Sequence, residues 1–342
     1  VLVCSTGLIG ERLPMDTLTA GVSEAVAALS PDGGEDAAVA IKTTDTVAKT
    51  AVARGEGFTV GGMAKGAGML APGLATMLVV ITTDAPLDPA VLDAALRAAT
   101  RTTFDRLDTD GCMSTNDTVI LMSSGAADTT VDTGEFEGLL GELCLDLMRQ
   151  LHVDAEGAHH DIAITTRGAA STDDAVTVSR SVARSNLFKA AIFGEDPNWG
   201  RVVAQVGTTS ADFDPTTIDV TINGVEVCRA SGPFADPAEV VARVSSKSAP
   251  DQSPQSRHPR RRLDGDLLRH RCAHRRRPHC GQLVQPERSR RRRGQPERRD
   301  RHPHRFRGDL RRVSARRPLA RRADRSALDI AAQSPRSREA AG

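Results

Sequence analysis

Along residues 1–245 the apolar positions switch repeatedly between a period near two and a period near 3.6, and each switch marks an element. "VLVCSTG" predicts a strand ending in a polar loop. "MDTLTAGVSEAVAALS" predicts a helix with Asp16 as N-cap. "DAAVAIKTTDT" reads as a strand followed by a Thr-rich turn, and "GFTVGGMAKGAGML" as a strand running into a Gly-rich loop. "TMLVVITTDA" is a continuous apolar run of the kind buried on both faces of a sheet. "LDPAVLDAALRAATRTTF" predicts a helix with Asp88 near its start, and "DTVILMSSGA" a strand. "EFEGLLGELCLDLMRQLHVD" predicts a long amphipathic helix and "HDIAITTRGA" another strand. "STDDAVTVSRSVARSNLFKAAIFG" reads as one helix ended by Gly194. "TIDVTINGVEVC" predicts a hairpin, because Asn223-Gly224 supplies the two left-handed positions of a tight turn. This alternation of strands and helices predicts an α/β fold without fixing the strand order, and no internal repeat is visible.

From about residue 245 the periodicity stops. The 342 residues carry 45 basic and 44 acidic side chains, but that balance is a cancellation. From Asp251 onward there are 28 Arg, no Lys and 10 acidic residues, which leaves 17 basic and 34 acidic residues before it. The organisation expected is therefore an acidic globular core, 1–245, and an Arg/Pro-rich tail, 246–342. Arginine without lysine, mixed with Pro, Ala, Gly and His, reads as a GC-rich gene translated out of frame. A basic nucleic-acid-binding tail is the alternative, and either composition predicts disorder. Tyrosine is absent and aromatics make up 3% of residues, so the core must be aliphatic. The six cysteines form no CxxC pair, which points to reduced thiols rather than a metal site, and no metal is expected. No apolar run of about 20 residues predicts a membrane span, no secretory leader is visible, and a cytoplasmic location is expected. A chain that opens on the apolar "VLVC" reads as truncated, with any upstream targeting segment lying outside it.

The candidate chemistry centres on "APGLATMLVVITTDA", residues 71–85, where Thr76 sits between small residues and the apolar run. A threonine hydroxyl needs a base, and the free α-amine of an N-terminal threonine is one solution. Cutting the Ala75-Thr76 bond would create it; read alone, Thr76 equally begins a strand or caps a turn. Other motifs accompany it: "STGLIG" (5–10), "TTD" (43–45), "GGMAKGAGML" (61–70), "FDRLDTDGCMSTNDTVILMSSGA" (104–126), "DAEG" (154–157) and "FGEDPNWGRV" (193–202). In this order and spacing the chain resembles the ornithine acetyltransferase family, or glutamate N-acetyltransferases, of arginine biosynthesis. The resemblance covers about residues 1–235.

That resemblance implies a two-layer α/β sandwich of the self-processing type, made as a precursor that cuts itself at Ala75-Thr76. The α-chain part would be 1–75, with Thr76 as first residue of the β chain and acyl acceptor. Thr6 and Gly7 would form the oxyanion hole, where a hydroxyl and a backbone N–H can each contribute about 3 kcal/mol; otherwise they are a turn. Lys65 would hold a substrate carboxylate and Glu156 the substrate amine. By itself Lys65 reads as a solvated loop lysine and Glu156 as an acid at a helix end. Thr43 or Thr44 would touch substrate as well, and the two are not separable by reasoning. Asn116 and Asn198 read as structural. The implied substrates are N2-acetylornithine and glutamate, with acetyl-CoA open as a second donor, no other cofactor, and an assembly of two α and two β chains. Two departures stand out. Gly73 and Leu74 replace the usual Asn and Met, and nothing after about residue 245 matches the family's C-terminal segment; the resemblance also implies about 100 family residues ahead of "VLVCSTG". The rival readings are a self-processing aminopeptidase of similar fold and an inactive fragment carrying a basic nucleic-acid-binding tail.

Overall fold

The computed structural model describes residues 2–71, 77–234, 236, 238–241, 267–273 and 326–333, with side chains in the last two stretches described only at 328–330. The described residues build an α/β fold of two sheets, each packed against helices.

The first sheet contains β1 (Lys49–Arg54), β2 (Thr59–Lys65), β3 (Leu78–Thr83) and β5 (Thr118–Ser123), in the order β1-β2-β3-β5. β1, β2 and β3 are antiparallel neighbours, while β3 and β5 run parallel. The crossover from β3 to β5 runs through α3 (Pro89–Thr102), a 3-10 turn at Phe104–Arg106 and the two-residue β4 (Leu107–Asp108). Register places Ala51 opposite Gly62, Gly62 opposite Ile81, and Ile81 opposite Leu121, so one face is continuously apolar. α4 (Thr133–Val153) covers that face. Its buried residues Phe136, Leu140, Leu143, Leu147 and Leu151 recur at helical spacing and merge with Val60, Val79 and Ile81 into one core. A β-carbon at Gly62 would lie 3.1 Å from Leu143 and Leu147, so this glycine lets the helix approach β2. Asp132 caps α4 by accepting the N–H of Glu135.

The second sheet contains β4, β6 (Ala158–Arg167), β7 (Ile218–Ile222), β8 (Val225–Arg229), β9 (Gly232–Pro233), β10 (Leu267–Ala273) and β11 (Ser326–Gln333). Their order is β4-β10-β6-β11-β7-β8-β9. α5 (Thr172–Arg184), α6 (Asn186–Phe193) and α7 (Trp199–Val206) pack against it through Val178, Val182, Phe188, Ile192, Val202 and Val206. The β7–β8 hairpin turns on Asn223 (φ 50°) and Gly224 (φ 71°), as the dipeptide predicts.

Several elements differ from expectation. Residues 2–7 form no strand, and Leu2 and Val3 are exposed; a strand requires a hydrogen-bonded neighbour, and the described residues offer none here. α1 (Met15–Ala27) begins after Pro14, so Asp16 sits inside the first turn rather than capping it. "GEDAAVA" is helical, as α2 (Gly34–Ala40), because its alanines and the leading Glu35 and Asp36 suit a helix N-terminus better than a strand. β3 is not covered on both faces: Val79 and Ile81 are buried, but Val80 is half-buried and Thr82 exposed. The helix expected at 171–194 breaks at Ser185, which adopts extended backbone and caps α6 by accepting the N–H of Phe188. β1 and α7 were not foreseen; Asn198 caps α7 through the N–H of Arg201. The second sheet also reaches beyond residue 245, with β11 between β6 and β7 and with Leu328 and Ile330 buried in its core.

Candidate active site

At one end of the first sheet a cavity of about 710 Å³ opens among segments distant in sequence. Thr6 and Gly7 line it from the N-terminal segment, Thr43 and Thr44 from the turn after α2, and Lys65 from the end of β2. Asn116 lines it ahead of β5, and Glu156 from the turn after α4. Six of the residues singled out for chemistry, Thr6, Gly7, Thr43, Thr44, Lys65 and Glu156, thus meet in one cavity. Ala75 and Thr76 lie outside the described residues.

Local structure explains how each is held. Asn116 Nδ2 donates to the Ser5 carbonyl at 2.8 Å, which fixes the backbone just before Thr6-Gly7. The Glu156 N–H donates to the Ala67 carbonyl at 2.6 Å, joining the turn after α4 to the loop after β2. That loop is pinned on its far side as well: Met69 N–H donates to Asp110 Oδ2 at 2.8 Å, and Thr109 N–H to the Leu70 carbonyl at 2.7 Å.

The electrostatics are those of a buried charged cluster. Lys65 is 1% exposed rather than a solvated loop lysine. Burial pulls its pKa below the usual lysine range and Lys49 adds to that, while Asp45 and Asp117 oppose it. Asp45 and Lys49 have fully buried side chains 2.6 Å apart, and Lys49 Nζ also meets Asp154 Oδ2 at 2.6 Å. Burial pushes the Asp45 carboxyl up, but the Gly66 and Thr43 amides and Lys49 outweigh it and hold it below the usual carboxylate range. Asp117 is the opposite case. Burial raises it to about 6, against the Met77 N–H it accepts at 2.9 Å and the charge of Lys65. Met77 directly follows Thr76 in the chain, so Asp117 holds the first described residue after the predicted cleavage point.

Sequence reasoning did not single out Asp45, Lys49, Asp117 or Asp154 as individuals. Three of the four lie inside quoted motifs ("TTD", "STNDT", "DAEG"), which was the available signal; Lys49 lies in none. Burial pushes the thiols of Cys144 and Cys228 up to about 12 and about 11, so neither is a reactive thiolate, and the four cysteines whose side chains are described are unbridged. Among the described residues no helix is long and apolar enough to cross a membrane, and no His/Cys/Asp/Glu group could hold a metal ion.

Fold and cavity together define an α/β protein whose candidate site brings an ammonium, a carboxylate and several hydroxyls to one cavity. Residues 1–249 match the model of the ArgJ family, and the chain belongs to that family. It is 66% identical over 240 residues to the arginine biosynthesis bifunctional protein ArgJ of Thermobifida fusca, covering 70% of this chain and 63% of that one. It is 64% identical over 232 residues to the protein of the same name from Streptomyces avermitilis, covering 68% and 61%. The chain thus spans less than two-thirds of the length of these relatives. A solved structure of arginine biosynthesis bifunctional protein argJ from Bacillus halodurans aligns at 30% identity with a TM-score of 0.43, over 57% of this chain and 87% of that one.

Proposed function

We propose that the protein transfers the acetyl group of N2-acetylornithine to glutamate in arginine biosynthesis, through an acetylated threonine. The observation that carries this reading is the meeting of Thr6, Gly7, Thr43, Thr44, Lys65 and Glu156 in one cavity, although they span 150 positions of sequence. The relatives' shared designation as arginine biosynthesis proteins supports it.

In this scheme the chain cuts itself at Ala75-Thr76 and frees the Thr76 α-amine. That amine takes the hydroxyl proton as Oγ adds to the acetyl carbonyl. The Thr6 hydroxyl and the Gly7 N–H donate to the oxyanion that forms. The C–N bond then breaks, the proton passes to the departing nitrogen, and ornithine leaves. The amine of glutamate attacks acetyl-Thr76, and N-acetylglutamate departs with the threonine restored. Lys65 holds the substrate carboxylate, Glu156 the side-chain amine of ornithine, and Thr43 or Thr44 a further polar group. No metal or nucleotide takes part; acetyl-CoA, as an alternative donor, would enter at the same acetyl-threonine. The assembly is two α and two β chains, in the cytoplasm.

N-terminal sequencing of purified protein should find a fragment beginning at Thr76. Thr76→Ala should abolish both cutting and acetyl transfer, and Thr76→Ser should keep part of each. An uncut chain that still transfers acetyl groups would sink the mechanism. Lys65→Ala should raise KM for acetylornithine in the protein that remains folded; an unchanged KM would remove Lys65 from the substrate site.

A further inference from the structure

The three segments that bring Thr43, Thr44, Lys65 and Glu156 to the cavity are tied together by side chains that do not line it. Asp45 Oδ1 accepts from Lys49 Nζ and from the Gly66 N–H, each at 2.6 Å, and Asp45 Oδ2 accepts from the Thr43 N–H at 3.2 Å. One carboxylate therefore grips the turn holding Thr43 and Thr44 and the residue next to Lys65. Lys49 carries the connection to Asp154 Oδ2 at 2.6 Å. Asp154 in turn accepts the Thr46 N–H at 3.0 Å and the Thr46 hydroxyl, and it stands two residues before Glu156. The Glu156 N–H closes the circuit on Ala67, two residues after Lys65.

A buried ion pair of this kind is not explained by stability alone. Desolvating two carboxylates and an ammonium offsets most of their attraction, and an apolar trio of equal volume would often hold the fold as well. What the charges add is direction: short charge-assisted hydrogen bonds fix where the three segments stand relative to one another. The segments so fixed carry Lys65 and Glu156, the two charges assigned to opposite ends of the ligand.

We infer that Asp45, Lys49 and Asp154 form a positioning element that sets the spacing between Lys65 and Glu156, and so selects substrates by the distance between their carboxylate and their side-chain amine. This rests on the reading of the cavity as a site for an N2-acylated diamino acid. The three residues touch no substrate; they act through the residues that do. The element works as a ruler: loosening it should lower affinity for the ligand of matching length while sparing ligands one methylene shorter or longer.

The test uses the full chain and three probes differing by one methylene: N2-acetyl-2,4-diaminobutyrate, N2-acetylornithine and N2-acetyllysine. Titration calorimetry gives the ratio of affinities across the series for the wild type, Asp154→Asn and Asp45→Asn. Asp154→Asn keeps the side-chain shape and leaves Lys49 paired with Asp45; Asp45→Asn leaves Lys49 on Asp154. The expected result is at least a tenfold loss of preference for the matched length in each folded variant, with the thermal midpoint reported alongside. Hydrogen exchange at the Thr43, Thr46 and Gly66 amides should quicken in the same variants. A preference unchanged in a folded variant, unfolding of both variants, or no binding of any probe by the wild type would each overturn the positioning role. Binding of the series by a wild type that transfers no acetyl group would overturn the proposed reaction and leave the ruler standing.

Discussion

The two sheets bury their charges in different arrangements. The second is closed by Val178, Val182, Phe188, Ile192, Val202, Val220, Ile222 and Ile330, and it buries the hydroxyls of Thr166 and Ser179, 2.6 Å apart, together with Asp108 of β4, paired to Arg184 at 2.8 Å, and Lys189 of α6. The first has an aliphatic core of similar kind under α4, but its cavity end takes in Asp45, Lys49 and Lys65 as well. Side chains of that type are almost never fully buried unless paired, because desolvation costs several kcal/mol per ion. Both halves accept that cost, but the first gathers three charged side chains at one end, whereas the second holds Asp108 on its edge strand β4. The charges at the end of the first sheet stand at or beside the cavity, whereas Asp108 and Lys189 do not line it.

Truncating one large core side chain in each half tests this most strongly. Phe136→Ala under the first sheet and Phe188→Ala under the second should each lose about 3–5 kcal/mol in urea unfolding, since both are fully buried. Only the first should also weaken ligand binding by the protein that remains folded. Equal binding losses in both would erase the distinction between the halves.

A second test uses the pH dependence of stability. Asp117 is raised from 3.8 to about 6 in the folded protein, so between those values the folded state holds a proton that the unfolded chain has released. Its contribution is therefore fully present below about pH 4 and is lost as pH rises through about 6. Asp45 is shifted the other way, so its contribution is present above the unfolded value and is lost as pH falls through its lowered folded value. Asp117→Asn should remove the decline in urea midpoint between about pH 4 and 6. A variant whose profile between about pH 4 and 6 superimposes on that of the wild type would show that Asp117 titrates normally.

Smaller effects belong to the second half. Ser179→Ala leaves the buried Thr166 hydroxyl without its partner and should lose about 1–3 kcal/mol, whereas Thr166→Val with Ser179→Ala should recover most of it. If the double substitution is as damaging as the two single ones added together, the pair is not acting as one hydrogen bond. Smallest, Asn198→Ala removes the cap of α7 and should lose about 1 kcal/mol. Loss of acetyl transfer by a stably folded Asn198→Ala protein would instead place Asn198 in the site.

What the sequence determined by itself was whatever local period and turn chemistry control. α4, β5, β6 and the Asn223-Gly224 hairpin follow from a repeat of apolar positions or from two left-handed turn residues, and each stands where the pattern puts it. The motifs that carry Thr6, Thr43, Lys65 and Glu156 were equally visible, because they are short and ordered. Where the local signal was weak, tertiary context decided. An Ala-rich stretch at 34–40 became helix instead of strand, an extended Ser185 divided one helical pattern into two, and residues 2–7 found no strand to pair with. The buried charges were settled by the tertiary structure alone. Lys49 looks like any surface lysine until Asp154, 105 positions away, is brought to 2.6 Å from it. The raised Asp117 carboxyl depends on burial strong enough to outweigh the opposing charge of Lys65, which another strand brings near. Hydrophobic period is a property of neighbours along the chain, whereas the energy of a buried charge depends on partners that only folding brings together.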